Sequence, residues 1–153
     1  MIQIKNISIF DSGANILAHQ TNCIGVMGGL AGQFKRKYPS MYSDYRMRCM
    51  NGLVHKGDMD IYEIGLNHYI ANLFGQDNIV SRGSGDIATD YSALRLALLK
   101  VEEFARLNNL TIALPYNMGC DLGGGNWNIV YSIIVCIFEK SPVKLTLCKY
   151  TPK

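Results

Sequence analysis

The chain has no CxxC pair, no apolar run of the ~20 residues that a membrane span needs, and no GxxxxGK[ST] or GxSxG motif. The five cysteines (Cys23, Cys49, Cys120, Cys136 and Cys148) are odd in number and scattered, and His19, His55 and His68 make no metal-ligand spacing with them. A zinc module and a disulfide framework are therefore excluded, and a reduced, cytoplasmic protein with no metal and no cofactor is expected. The N-terminus, MIQIKNISIF, has neither a long apolar stretch nor a small-residue cleavage site, so neither a signal peptide nor a membrane association is expected. Without a P-loop or a nucleophile elbow, the triphosphatase and α/β-hydrolase classes drop out. Charge is scarce too: 18% of residues are charged and the net charge is +3. Lys35-Arg36-Lys37 falls near a helix C-terminus, where cations are favoured in any case, so a nucleic-acid surface is not expected.

What the chain does have is apolar residues, 48% of its 153 positions, enough for one domain over 1–153 with a core of its own. There is no repeat, low-complexity tract or linker. Alternation predicts strands over Ile2–Ile9, Asn15–His19, Asp60–Ile64 and Tyr69–Phe74, with Gly65-Leu66-Asn67-His68 as a turn. Leu30–Lys37 and Ser40–Cys49 read as helices parted at Tyr38-Pro39. From Asp90, the residues Tyr91, Leu94, Leu98, Val101 and Ala105 make one apolar stripe at helical spacing, ended by Asn108-Asn109. Leu110–Leu114 is a central strand covered on both faces. Trp127–Lys140 is a helix apolar nearly all round, hence deeply packed, and Val143–Lys149 is a last strand. Interleaved strands and helices give an α/β class with a parallel or mixed sheet.

Two glycine loops, at equivalent positions between a strand and a helix, are where chemistry can sit. The first runs His19-Gln20-Thr21-Asn22-Cys23-Ile24-Gly25-Val26-Met27-Gly28-Gly29-Leu30; the second runs from Pro115-Tyr116-Asn117-Met118-Gly119-Cys120-Asp121-Leu122-Gly123-Gly124-Gly125 to Trp127. Ligands of open α/β sheets bind beyond the strands' carboxyl ends. Bare amides at a helix N-terminus attract anions, and two such loops over one crevice suit a diphosphate. Cys23 and Cys120 read as packing residues. The Gly83–Ala88 stretch fits GxGxxA but follows no strand, so it is not a dinucleotide fingerprint.

Over these two loops and the helices after them, from Ile16-Leu17-Ala18-His19 to Tyr38-Pro39 and from Ile112-Ala113-Leu114-Pro115 to Trp127, the sequence resembles the macrodomain family. The likeness is to the branch with the ADP-ribosyl-glutamate hydrolases, the DNA ADP-ribosyl glycohydrolase antitoxins and small phage and bacterial proteins. The resemblance implies a single macrodomain: a three-layer α/β/α fold with a mixed, roughly six-stranded central sheet. Its implied partner is ADP-ribose or an ADP-ribose-derived nucleotide, bound by a monomer in the cytoplasm, the host's if phage-encoded. By position, Asn6 would meet the adenine and Asn22 the distal ribose. Gly25, Met27, Gly28, Gly29 and Leu30 would line ribose and phosphate, and Asn117, Met118, Gly119, Cys120, Asp121, Leu122, Gly123 and Gly124 would wrap the diphosphate. Three positions depart from the family pattern. Lys5-Asn6-Ile7 replaces a Gly-Asp, Gln76 stands where the hydrolases carry a nucleophilic Lys, and Gly123 stands where they carry an Asp. The expected activity is therefore hydrolysis without a Lys nucleophile, as an ADP-ribose 1″-phosphate phosphatase or ADP-ribosyl ester hydrolase. Asp121 is the candidate base and His19 the candidate acid/base; a turn-forming Asp121 and a structural His19 are the plainer readings of both. The alternative function is a non-catalytic binder that sequesters an ADP-ribose-derived signal.

Overall fold

The computed structural model describes residues 1–80 and 84–150, so Gly83, which opens the GxGxxA stretch, lies outside the described residues. Along the chain come β1 (Ile2–Lys5), a 3-10 turn (Ile9–Asp11), β2 (Ile16–Thr21), α1 (Gly29–Lys37), α2 (Pro39–Met50), β3 (Met59–Gly65) and β4 (His68–Phe74). They are followed by α3 (Tyr91–Asn108), β5 (Ile112–Pro115), α4 (Trp127–Phe138) and β6 (Leu145–Cys148). The strands form one six-stranded sheet in the order β1-β6-β5-β2-β4-β3. Every neighbouring pair is parallel except β3 with β4, which are joined by the Leu66-Asn67 turn and run antiparallel.

Strand alternation divides the interior in two. Ile16, Ala18, Ala71, Leu73, Ile112, Leu114, Leu145 and Leu147 face α3 and α4, meeting Leu94, Leu98, Val101, Val130, Ile134 and Phe138. Leu17, Ile70, Phe74 and Ala113 face the other way, onto Phe34 of α1 and Met41 and Tyr45 of α2. The result is a mixed six-stranded α/β/α sandwich. From β2 the chain travels through α1 and α2 towards β4; from β5 it travels through α4 to β6 on the opposite side. β2 and β5 are neighbours, so the crevice between their carboxyl ends is the switch point of the sheet, where ligands of open α/β folds bind.

Two sequence expectations need correction. The strand read over Ile2–Ile9 stops at Lys5: Ser8 caps the 3-10 turn by accepting the Phe10 amide at 3.3 Å, and Ile9 turns down into the core. Alternation does not distinguish that turn from a continued strand. The helix at Trp127 is not deeply packed. Val130, Ile134 and Phe138 are buried, but Ile129 is 43% exposed and Cys136 is exposed, because the sheet and α3 cover only one face of α4. Elsewhere the elements follow the pattern. α3 ends where Asn109 adopts the left-handed conformation at φ 55°, which Asn tolerates better than most residues. Among the described residues no helix is long and apolar enough to cross a membrane.

Phe34 is fully buried, 4.8 Å from the Phe10 ring and stacked 4.0 Å from the His19 ring. Phe34→Ala is expected to cost about 3–5 kcal/mol, read as a lower midpoint in urea denaturation; a loss near zero would mean that this side of the sheet does not carry a core.

Candidate functional site

The first loop leaves β2 after Thr21 and is tied by its own asparagine. The Asn22 side-chain oxygen accepts the amides of Ile24 (3.2 Å) and Val26 (3.4 Å) and the Tyr45 hydroxyl (2.7 Å), while its nitrogen donates to the Val26 carbonyl at 2.8 Å. Gly25 turns the chain at φ 82° against α2, where Tyr42 Oη donates to its carbonyl at 3.1 Å. α1 then starts on Gly28, which has no side chain to cap it. The amides of Gly29, Leu30 and Ala31 donate to no acceptor among the described residues, and they carry the positive end of the α1 dipole.

The second loop leaves β5 at Pro115 and folds back on itself. Cys120 N donates to Asn117 O (3.0 Å), Gly124 N to Asp121 O (3.2 Å) and Gly125 N to Gly119 O (2.9 Å). Asn117, Gly119 and Gly124 adopt φ of 66°, 76° and 70°. From β2, Gln20 points to the face that Ile16 and Ala18 share and reaches under this loop. Its side-chain nitrogen donates to Gln76 Oε1 (2.7 Å) and Thr89 Oγ1 (2.9 Å), and Thr89 in turn donates to the Gly119 carbonyl at 2.7 Å. The two loops touch: Leu122 lies over Gly29 so closely that a Cβ on that glycine would come within 2.9 Å of it. They therefore share one crevice.

Not every candidate residue lies there. Leu122 lies over Gly29, next to Gly28, and Gln76 joins the second loop through Gln20 and Thr89. Gly123 is buried, and a Cβ on it would collide with Thr89 Oγ1. Met27 and Met118 are buried apolar residues that back their loops. Asn6 is exposed just past β1, at the same carboxyl end of the sheet but on an outermost strand, two positions from β5. Asp121 is exposed on the second loop. His19 is 2% exposed, stacked on Phe34, with Nε2 2.8 Å from Asn72 Oδ1. Burial lowers its pKa to about 4 against the opposing Asn72 hydrogen bond, so the ring is neutral and faces the α1 core. Burial likewise holds the Cys120 thiol up at about 11, and burial with the nearby Asp77 carboxylate holds Cys23 up at about 12, so both remain protonated thiols. Gln20, Tyr45 and Thr89 were not singled out from the sequence. Gln20 sits in the polar His19-Gln20-Thr21 end of β2 and carries no signal of its own. Thr89 shows only as a neighbour of the helix cap Asp90. Among the described residues no cluster of His, Cys, Asp or Glu could hold a metal ion.

No family model matches the chain. Its architecture superposes on the solved macrodomain of Mycobacterium tuberculosis DarG with a TM-score of 0.83, over 100% of this chain and 99% of that one, at 26% identity. In sequence it is 32% identical over 132 residues to an uncharacterized 17.5 kDa protein of phage T4, covering 84% of this chain and 82% of that protein. The chain belongs to the macrodomain family. This macrodomain is also 30% identical over 150 residues, 93% of its length, to a DNA ADP-ribosyl glycohydrolase of Mycobacterium tuberculosis, but spans only 40% of that relative. A structure of Thermosipho africanus DarTG in complex with ADP-ribose shares the fold, with a TM-score of 0.80 at 20% identity over 99% of this chain and 41% of that one.

Two outcomes follow from the geometry. His19 binds a proton in the unfolded chain below its ordinary pKa of 6.5 but in the folded protein only near 4. The contribution of the neutral, buried His19 is therefore present above pH 6.5 and lost as the pH drops from 6.5 to 4, by about 3 kcal/mol. Urea titrations across this range should show that slope, and His19→Gln should flatten it. Gly124→Ala forces a side chain into the left-handed region, with its Cβ 2.9 Å from the Asp86 carbonyl oxygen, whereas Gly28→Ala meets nothing nearer than Leu122 Cδ1 at 4.0 Å. The first should lower the melting temperature in line with a cost of at least about 1–2 kcal/mol, and the second should leave it nearly unchanged.

Proposed function

We propose that this macrodomain binds ADP-ribose, or a nucleotide derived from it, across the two glycine loops and hydrolyses a bond at the distal ribose. The substrate class is ADP-ribose 1″-phosphate or an ADP-ribosyl ester. The observation that carries this reading is the close approach of Leu122 to Gly29, which brings the uncapped head of α1 and the second glycine loop to one crevice at the switch point of the sheet. A diphosphate spanning the two loops would meet backbone amides from both. The ADP-ribosyl chemistry in the name of the Mycobacterium relative and the ligand of the Thermosipho structure support the same ligand class.

In this reading Asn6 faces the adenine as a neutral acceptor, and Asn22 offers the distal ribose the second N–H of its amide, the first being held by Val26 O. Asp121 is the general base: its carboxylate takes a proton from a water whose oxygen bonds to the phosphorus or the ester carbonyl carbon, the bond from that atom to the ribose 1″-oxygen breaks, and the leaving oxygen receives the proton back as the free hydroxyl. His19 is given no proton transfer, since its ring is buried against Phe34 and stays neutral. Gln76 cannot form a covalent sugar adduct, so no lysine adduct is part of the route. The five free thiols suit a reducing cytoplasm, the host's if the protein is phage-encoded, where we place it as a monomer.

One observation favours the non-catalytic reading. Gln20, Gln76 and Thr89, around the position where hydrolase relatives carry their lysine, are neutral and hydrogen-bonded to one another. A binder would sequester its nucleotide and return it unchanged.

Calorimetry decides on binding: ADP-ribose should bind, and no heat at millimolar ligand would overturn the reading. Phosphate release from ADP-ribose 1″-phosphate, abolished by Asp121→Ala with binding retained, supports the hydrolase. A ligand recovered intact after denaturation supports the binder. Borohydride reduction in the presence of an ADP-ribosylated peptide should give no protein adduct; a lysine adduct near Gln76 would overturn the lysine-free route.

A further inference from the structure

A backbone anion site has a requirement beyond exposed amides: each peptide that offers an N–H also carries a carbonyl, whose oxygen repels phosphate. In the second loop, two carbonyls are drawn off by one short segment. The Gly123 oxygen accepts the amides of Ala88 (2.9 Å) and Thr89 (3.1 Å), and the Gly119 oxygen accepts Thr89 Oγ1 (2.7 Å) along with the Gly125 amide (2.9 Å). Thr89 is 5% exposed, and its hydroxyl is itself oriented, accepting from Gln20 Nε2 at 2.9 Å and so left to donate to Gly119. The fit is close on every side. A Cβ on Gly119 would sit 2.8 Å from Gln20 Oε1, and one on Gly125 would sit 2.7 Å from the Gly119 oxygen. With both carbonyls held inward, the amides of Leu122 and Gly123 donate to no backbone carbonyl among the described residues.

We propose that Thr89, oriented by Gln20, is a positioning residue for diphosphate recognition: it holds the Gly119 and Gly123 carbonyls away from the crevice, so that the second loop presents amides alone to the phosphates. This inference rests on the ADP-ribose reading for its natural ligand, but not for its chemistry, which any diphosphate probes.

The test uses the whole chain and two ligands, ADP-ribose and inorganic pyrophosphate, with Thr89→Val, which keeps the shape and removes the hydroxyl, and Thr89→Ser, which keeps the hydroxyl. Melting curves establish that each variant is folded. Thr89→Val leaves the Gly119 oxygen with the Gly125 amide alone and should weaken binding of both ligands by about threefold to tenfold, the scale of one lost hydrogen bond. Thr89→Ser should restore affinity to near the wild-type value. Equal binding by the Val variant, even with a lower melting temperature, would reduce Thr89 to a structural residue and overturn the proposal; so would a Ser variant as weak as Val. Wild-type binding of pyrophosphate but not of ADP-ribose would remove the proposed ligand while leaving the pyrophosphate comparison to decide on Thr89. Wild-type binding of neither would overturn both.

Discussion

β2 must be covered on both faces and paired along both edges, and most of the structure answers that demand. Its residues Ile16, Leu17 and Ala18 are almost fully buried; Ile16 and Ala18 belong to one core and Leu17 to the other. A strand of this kind is stable only inside a parallel sheet with helices on both sides, and β4, β5 and the two helical layers supply it. The same strand sends Gln20 to the second loop and His19 to the opposite core. Because side chains alternate, a one-residue slip of β2 against its partners would exchange these two. The position of the crevice and the identity of the groups beneath it are thus set by one register.

Periodicity made the scaffold legible where elements are long and one-sided. The stripe of α3, the apolar run of β5 and the breaks at Pro39 and Asn109 all lie where the pattern put them. It misled where a residue's neighbours, and not its spacing, decide its place. Ile9 continues an alternation that the chain abandons at Lys5, and α4 is apolar all round although the sheet takes only one of its faces. The glycine loops could be read because glycine is needed where the backbone turns left-handed or passes close, as at Gly25, Gly119 and Gly124. The polar groups that hold those loops were illegible. Thr89 and Gln20 are 69 positions apart, and no local pattern marks two residues whose common purpose is a third segment's carbonyl.

The site is built largely from neutral groups. Gln20, Gln76, Thr89 and Asn22 are bonded to one another or to main chain, and the charges nearby are used to fasten segments. Lys56 bridges Asp77 and Asp90 at 3.5 and 2.9 Å, next to where the Asp90 amide meets the Gly75 carbonyl at 2.7 Å. Among the described residues of the two loops, the helix dipole and main-chain amides are the fixed source of positive potential for an anion. Such dipoles do not titrate and need little reorganisation when a ligand arrives, because the fold has already oriented them.

The bonds that shape the second loop also say when it can exist. They close stretches of 69 residues (Gln20 to Thr89), 56 (Gln20 to Gln76) and 30 (Thr89 to Gly119), whereas the β3–β4 hairpin closes over Leu66 and Asn67 alone. Each long closure must be met in chain entropy before its single hydrogen bond is gained. On this entropic ground the cradle is expected to form after the hairpin. A nascent chain offers no cradle to a nucleotide until β2, the head of α3 and the exit of β5 have come together.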